Sequence, residues 1–248
     1  MHLDGTGEPM MYPQLIKLVE EIRKIPQVKT ISMQTNGTLL TEEKIKKLES
    51  AGVDRINLSM DAFDNETSRK ISGIAWFDSD RIKKMARNIV ESKMDLLIAP
   101  VYLPKINDDQ IPKIIRFALE IGAGKKWPPL GIQKYEKYRL GRIPKGLKIQ
   151  SRWQFYNRSI KEWEKQFKIK LRLSRKDFNI EKCEPYPTVI DRNEKLKVKL
   201  VAPGWLKGES IGTARNRSVL VLNSDEVGRE IKVKILSNKH GVYVAEAV

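Results

Sequence analysis

Met1-His2-Leu3-Asp4-Gly5-Thr6-Gly7-Glu8-Pro9 opens the chain, a short apolar run leading into a glycine-rich turn with acids and a proline. An amphipathic helix is expected directly afterwards, from about Met11 to Lys24. Strand, glycine turn, helix is the arrangement in which α/β proteins bind anionic or zwitterionic small molecules. Glycine lets a ligand approach the backbone, and unpaired N–H groups face it.

Working outward, the same pattern repeats. Residues 28–35 read as a strand ending in the turn Asn36-Gly37-Thr38. Thr41 is an expected N-cap, with Glu42 and Glu43 in the first turn and Ile45, Leu48 and Ala51 as the buried helix face. Gly52 closes that helix. Residues 54–61 form a strand with Ser59 and Asp61 at its end, followed by helix interrupted near Gly73 and resumed from Asp80 to Glu91. A strand from Met94 to Val101 precedes a helix that starts at Asp108 or Asp109 and ends near Gly122. Gly131 to Tyr135 reads as a last strand. This alternation implies βαβ units and a parallel sheet. Gly5 to Glu8, Gln34 to Asn36, Ser59 with Asp61, and Gln133 all gather at C-terminal strand ends, where parallel α/β folds carry their chemistry.

Composition sets the limits. The chain has 248 residues, 31% charged, and no apolar run near 18 residues, so neither a membrane span nor a signal pattern is written in it. One cysteine (Cys183) and two histidines (His2 and His240) exclude a disulfide framework and supply too few ligands for a metal or iron–sulfur site within the chain. A cytoplasmic protein is expected. Cys183 lies in a proline-flanked linker without a neighbouring base and is not expected to be a nucleophile. No GxxxxGK[ST] loop or HExxH motif occurs.

The net charge of +16 is uneven: residues 1–123 hold 18 basic and 18 acidic side chains, 124–194 hold 19 and 8, and 195–248 hold 10 and 5. Charge enrichment for heat adaptation raises both signs together, so the skewed second half points to a polyanion, with RNA the expected partner of 124–248. Residues 134–148 interleave tyrosines with lysines and arginines, suited to base stacking or to a substrate-side loop. A helix from Ser151 to Phe167 carries Trp153, Tyr156, Ile160, Trp163 and Phe167 as a packing face. From Lys195 onward strands are expected at 197–201, 218–222, 228–236 and 242–245. They form a small barrel, with Trp205 and Lys207 in a contact loop between Gly204 and Gly208.

Three segments together resemble the radical S-adenosylmethionine (SAM) superfamily. Asp4-Gly5-Thr6-Gly7-Glu8-Pro9 is similar to its Gly-Gly-Glu-Pro turn, with a threonine between the glycines and Tyr12-Pro13 following. Gln34 to Leu40 resembles its Thr-Asn-Gly strand end. Ile56 to Asp61 resembles the strand whose Ser and Asp lie by the SAM ribose and substrate. The resemblance implies that Gly5, Gly7 and Glu8 contact the methionine moiety of SAM and Ser59 and Asp61 the ribose side, with Asn36 and Gln133 lining the pocket. It also implies a [4Fe–4S] cluster, yet the three-cysteine CxxxCxxC motif is absent from this sequence, so no metal ligand is assigned. The expected architecture is α/β: a partial (β/α) barrel lacking its first strand (1–149), a basic helical segment and linker (150–194), and a small TRAM- or OB-like β-barrel (195–248). The expected function is that of a SAM-dependent radical enzyme acting on RNA, N-terminally truncated and inactive as it stands. The alternatives are a cluster-less, non-enzymatic RNA-binding protein, and an ordinary barrel enzyme using Glu8 and Asp61 as acid and base.

Overall fold

The computed structural model describes every residue except Thr6, Arg139, Leu140, Arg142, Lys182, Cys183, Pro185 and Tyr186, and describes His240 by its backbone alone. The expectations for Thr6, for Cys183 with its linker, and for part of 134–148 therefore lie outside the described residues. Two compact units form, Met1–Glu181 and Lys182–Val248.

In the first unit β1 (His2–Leu3), β2 (Ser32–Thr35), β3 (Arg55–Leu58) and β4 (Asp95–Ile98) lie side by side in sequence order. All three pairings are parallel. A parallel bridge from Ile98 to Leu130 and the pair β5 (Val101–Tyr102) with β6 (Gln133–Lys134) carry the pairing one strand further. Between the strands run α1 (Leu15–Arg23), α2 (Glu42–Ala51), α3 (Asn65–Ser72), α4 (Ser79–Glu91) and α5 (Gln110–Glu120).

Local sequence explains the boundaries. Thr41, Asp64 and Asp78 cap α2, α3 and α4 through their side-chain oxygens. Gly52 and Gly73 end α2 and α3 at φ 101° and 73°, values a side chain disfavours. The first long helix starts at Leu15 rather than Met11. A short 3-10 turn, Pro9–Met11, comes first, and Tyr12 is extended because Pro13 follows it.

Strand register divides the sheet into two chemically different faces. Leu3, Met33, Ile56 and Leu96 share one row, and with Leu58 and Ile98 they pack against Val19, Ile22, Ile45, Leu48, Met85 and Ile89 of the helices. Burying such side chains removes about 25 cal/mol per Å² of apolar surface from water, the main term holding this layer. His2, Ser32, Arg55 and Asp95 share the alternate row, followed by Gln34 with Asn57. A parallel sheet buried on both faces reads as apolar throughout. Here the face away from the helices is polar apart from the buried Leu97 opposite Asn57, and this feature positions the site.

The helix expected at 151–167 consists of α6 (Arg152–Gln154), a π-helical stretch (Phe155–Ile160) and α7 (Lys161–Phe167). Phe155, Ile160 and Trp163 are buried in the core of the first unit, with Tyr102 edge-on to Trp163 at 5.0 Å between centroids. Trp153 departs from the expected packing stripe and is 62% exposed, because the wider π turn interrupts the 3.6-residue period. This helix belongs to the first unit, so the chain divides after Glu181 rather than into the three parts 1–149, 150–194 and 195–248.

The second unit is a closed five-stranded barrel: β7 (Lys195–Pro203), β8 (Glu209–Ala214), β9 (Arg217–Leu222), β10 (Glu230–Ser237) and β11 (Tyr243–Ala247). The order is β10-β11-β9-β8-β7, antiparallel throughout except for β9 with β11. Closure leaves no strand edge unpaired. Val198, Leu200, Val219, Val221, Val233, Ile235, Tyr243 and Ala245 fill the interior by alternation. Strand β8 escaped the sequence reading for a physical reason. Its inward positions include Ser210, fully buried, and Gly212, where a Cβ would lie 2.1 Å from Val198 Cγ1. Apolar alternation is therefore missing where space is tightest.

Candidate functional site at the C-terminal edge of the parallel sheet

The turn after β1 is fastened to the end of β2 by Glu8. Its Oε1 accepts from the Thr35 hydroxyl at 2.7 Å and the Met10 N–H at 3.0 Å, and its Oε2 accepts from the Asn36 N–H at 2.8 Å. Charge-assisted bonds of this kind are roughly twice as strong as neutral ones. Thr35, the threonine of the Thr-Asn-Gly strand end and given no contact of its own in the sequence reading, also accepts from the Gly37 N–H at 3.1 Å, so one hydroxyl joins both turns. Asn36 folds back through Oδ1, which accepts from the Thr38 N–H and hydroxyl at 2.9 and 2.6 Å. Gly5 N–H donates to Asp4 Oδ1 at 2.8 Å. A Cβ on Gly5 or Gly7 would meet nothing within 4 Å. Protein packing therefore leaves the approach to both residues open.

Asn36, Ser59 and Asp61 come together and line a cavity of about 130 Å³ with Ser68, Ile74 and Phe77. Gln34 Nε2 donates to Ser59 Oγ at 2.7 Å, linking the ends of β2 and β3. Asp61 Oδ1 accepts from the Val101 N–H at 2.7 Å. Asn107, fully buried, donates from Nδ2 to the carbonyls of Asp61 and Val101 at 2.8 and 2.9 Å. It thus fixes the backbone that carries Asp61. A lone asparagine before a helix gives no sequence signal for such a role. Gln133 is placed differently from the expected pocket lining: it pairs with Val101 on β6, its side chain is exposed, and it is absent from the cavity wall.

Burial pushes the Asp61 carboxyl up to about 6, with the Val101 N–H working in the other direction. A carboxyl raised in the folded state contributes stability that is complete below about pH 4 and is lost as pH rises through 6. Asp61→Asn should remove this dependence, flattening the loss between pH 4 and 7 by up to about 3 kcal/mol. Thermal denaturation of both proteins across that range checks this, and parallel pH profiles would contradict it.

A larger cavity, about 310 Å³, opens at the opposite edge of the sheet, between Arg23, Glu49, Asp54, Asp95, Lys125 and Trp127. Several of its charges are engaged: Arg23 with Asp54 at 2.5 Å, Asp95 with four backbone N–H groups, and Lys125 Nζ with the Ser92 and Met94 carbonyls. These bonds brace the N-terminal edge of the sheet. Among the described residues no group of three His, Cys, Asp or Glu is placed to hold a metal ion, and no helix is long and apolar enough to cross a membrane.

Residues 2–118 match the model of the radical SAM superfamily. An uncharacterized protein of Methanocaldococcus jannaschii is 38% identical over 268 residues, covering all of this chain and 62% of the relative. A GTP 3′,8-cyclase of Clostridium perfringens is 30% identical over 133 residues, covering 49% of this chain and 40% of the cyclase. The chain therefore spans less than two thirds of the length of either relative. A domain of pyruvate-formate lyase-activating enzyme from Bacteroides vulgatus superposes with a TM-score of 0.54 at 13% identity, over 70% of this chain and 98% of that one. At that identity the likeness is one of fold. With the glycine turn, the Thr-Asn-Gly strand end and the Ser-Met-Asp strand end meeting on one sheet edge, residues 2–118 are a domain of the radical SAM superfamily.

Proposed function

We propose that the first unit binds SAM across the C-terminal edge of its parallel sheet, as part of a SAM-dependent radical enzyme. The observation that carries this is the Glu8 clasp, which holds an open two-glycine turn against Asn36. Gly5 and Gly7 would take the methionine end of SAM on their open backbone, with Glu8 setting the turn. Ser59 and Asp61 would face the ribose side. The cavity beside Asp61 is smaller than the roughly 300–1,000 Å³ of whole small-molecule sites, so it suits one group of a ligand. SAM, once bound beside a reduced [4Fe–4S] cluster, supplies one-electron cleavage at its sulfonium.

The residues of this chain do not fit that cluster. It needs three thiolates, and the sequence contains one cysteine. We therefore assign residues 1–248 by themselves SAM binding and no radical turnover. Anaerobic iron–sulfide reconstitution of this chain should yield no stable visible cluster absorbance; a stable cluster spectrum would contradict the assignment.

RNA is the partner we propose for the basic half. Two cross-strand pairs on the barrel set like charges directly opposite, Lys195 with Lys234 and Lys197 with Lys232, the Lys197 ammonium also meeting Glu230 at 3.1 Å. Such pairs are unfavourable in an isolated sheet and favourable against phosphates. Trp205, 62% exposed in the loop after β7, offers a stacking surface. This support leans towards an RNA-associated, TRAM- or OB-like barrel. Binding of single-stranded RNA by the full chain should fall steeply between 50 and 200 mM salt, roughly 10-fold or more if a few phosphates are contacted. Trp205→Ala should weaken it by about 1–3 kcal/mol. No binding at low salt, or binding indifferent to both changes, would remove RNA as the partner.

A further inference from the structure

Arg55 is 8% exposed, at the start of β3 on the polar face of the sheet. Its Nε donates to Asn57 Oδ1 at 2.9 Å, two residues further along the same strand, so the side chain leans toward the edge that carries the turn. Trp127 and Phe178 cover the guanidinium, with ring centroids 5.1 and 4.8 Å from Cζ. Its two terminal amines donate to no acceptor among the described residues. Asp95, in the same row, has both oxygens engaged by the N–H groups of Leu96, Lys125, Lys126 and Trp127. The indole N–H of Trp127 is a buried donor without an acceptor.

The arrangement is unusual in its balance. Rings on a guanidinium stabilise the cation without consuming a hydrogen bond. Neither ring gives the terminal amines a hydrogen-bond acceptor. A methionine would fill the same space with no unmet donor. What this pocket offers, and an apolar residue would not, is a pre-oriented fork of donors held rigid on its faces and at Nε. Such a fork matches two oxygens of one planar or tetrahedral anion. Around it stand Ser32, bonded to His2 Nδ1 at 2.8 Å, and the amide of Asn57, all on the same polar face.

We propose that Arg55 is a substrate-anchoring residue that takes an oxyanion, carboxylate or phosphate, at the floor of the polar sheet face. This rests on the reading of that face as the chamber beneath the SAM site. Ser59 lies four residues further along the strand, about 13 Å at 3.3 Å per residue. The substrate is thus a small molecule carrying its anionic group on the order of 10 Å from the position at the strand ends where it would react.

The test uses the full chain with ¹⁵N,¹³C-labelled arginine and asparagine and no SAM. Sodium phosphate and sodium formate are titrated separately against chloride at matched ionic strength. Arg55 is assigned by contacts from its Nε–H to the Trp127 and Phe178 rings and by its disappearance in Arg55→Lys. Saturable movement of the Arg55 signal with phosphate only identifies a phosphate-bearing substrate, and with formate only a carboxylate. Movement with both supports a general oxyanion site. Arg55→Lys, which keeps the charge and loses the fork, should weaken the anion at least about 10-fold as read from the Asn57 amide. An Arg55 signal that stays still, or drifts without saturation, would overturn the proposal whether or not SAM binds. The assignment through ring contacts makes the wild-type titration decisive even if the lysine variant folds poorly.

Discussion

Glu8→Ala should lower the stability of the first unit by about 3 kcal/mol and eliminate SAM binding together. One carboxylate accepts three bonds, from Thr35 Oγ1, Asn36 N and Met10 N, and its removal strands two backbone N–H groups, at about 1–3 kcal/mol for each one left buried. Glu8→Gln is the sharper probe. Its oxygen satisfies one side of the clasp while its NH₂ faces an N–H on the other, so an intermediate loss of about 1–2 kcal/mol is expected. Chemical denaturation followed by the first unit's tryptophans measures the stability, and equilibrium dialysis measures SAM. If Glu8→Ala left both unchanged, the clasp would have no part in forming the turn.

The largest effect on the fold is expected at Asp95. It is 3% exposed, and its carboxylate accepts from four backbone N–H groups at 2.8–2.9 Å: Leu96 and Lys125 on one oxygen, Lys126 and Trp127 on the other. This single side chain ties the start of β4 to the segment after α5. Asp95→Ala removes charge-assisted bonds and leaves amides without partners, which should destabilise the first unit by about 4 kcal/mol or more. Asp95→Asn keeps one oxygen and sets its NH₂ against two donors, so about half that loss is expected. Denaturant midpoints of the three proteins decide it. A loss under about 1 kcal/mol for the alanine variant would show that water replaces the carboxylate and that the floor is not braced in this way.

Much of this was legible in the sequence because local rules and the global fold agree. Thr41, Gly52 and Gly73 bound their helices as cap chemistry requires, and the strand ends at 34–36 and 59–61 fall on one edge because parallel strands share a direction. Asn36, Ser59 and Asp61 consequently meet around one cavity. Other features depend on contacts between distant residues and left no local trace. Thr35 belongs to the Thr-Asn-Gly strand end, but its bond to Glu8, 27 positions away, is not visible in the sequence. Asn107 holds Asp61 across 46 positions. Strand β8 was hidden because tight packing against Val198 favours glycine over an apolar residue. The π turn at 155–160 displaced Trp153 from its expected face, since helical periodicity presupposes an unbroken α-helix. Arg55 lies at the start of the strand expected at 54–61, and nothing local marks it. Its meaning depends on Trp127 and Phe178, which come from segments 72 and 123 positions away.

The central claim is that the first unit receives SAM at the turn after β1, and an amide ¹H–¹⁵N spectrum of the chain titrated with SAM tests it most directly. The account predicts saturable shifts at Gly5, Gly7, Asn36 and Ser59, in the high-micromolar to millimolar range (about −4 to −6 kcal/mol) for a ligand held without its cluster. Residues 182–248 should remain still. No shift up to several millimolar SAM, or shifts confined to the β-barrel, would contradict it.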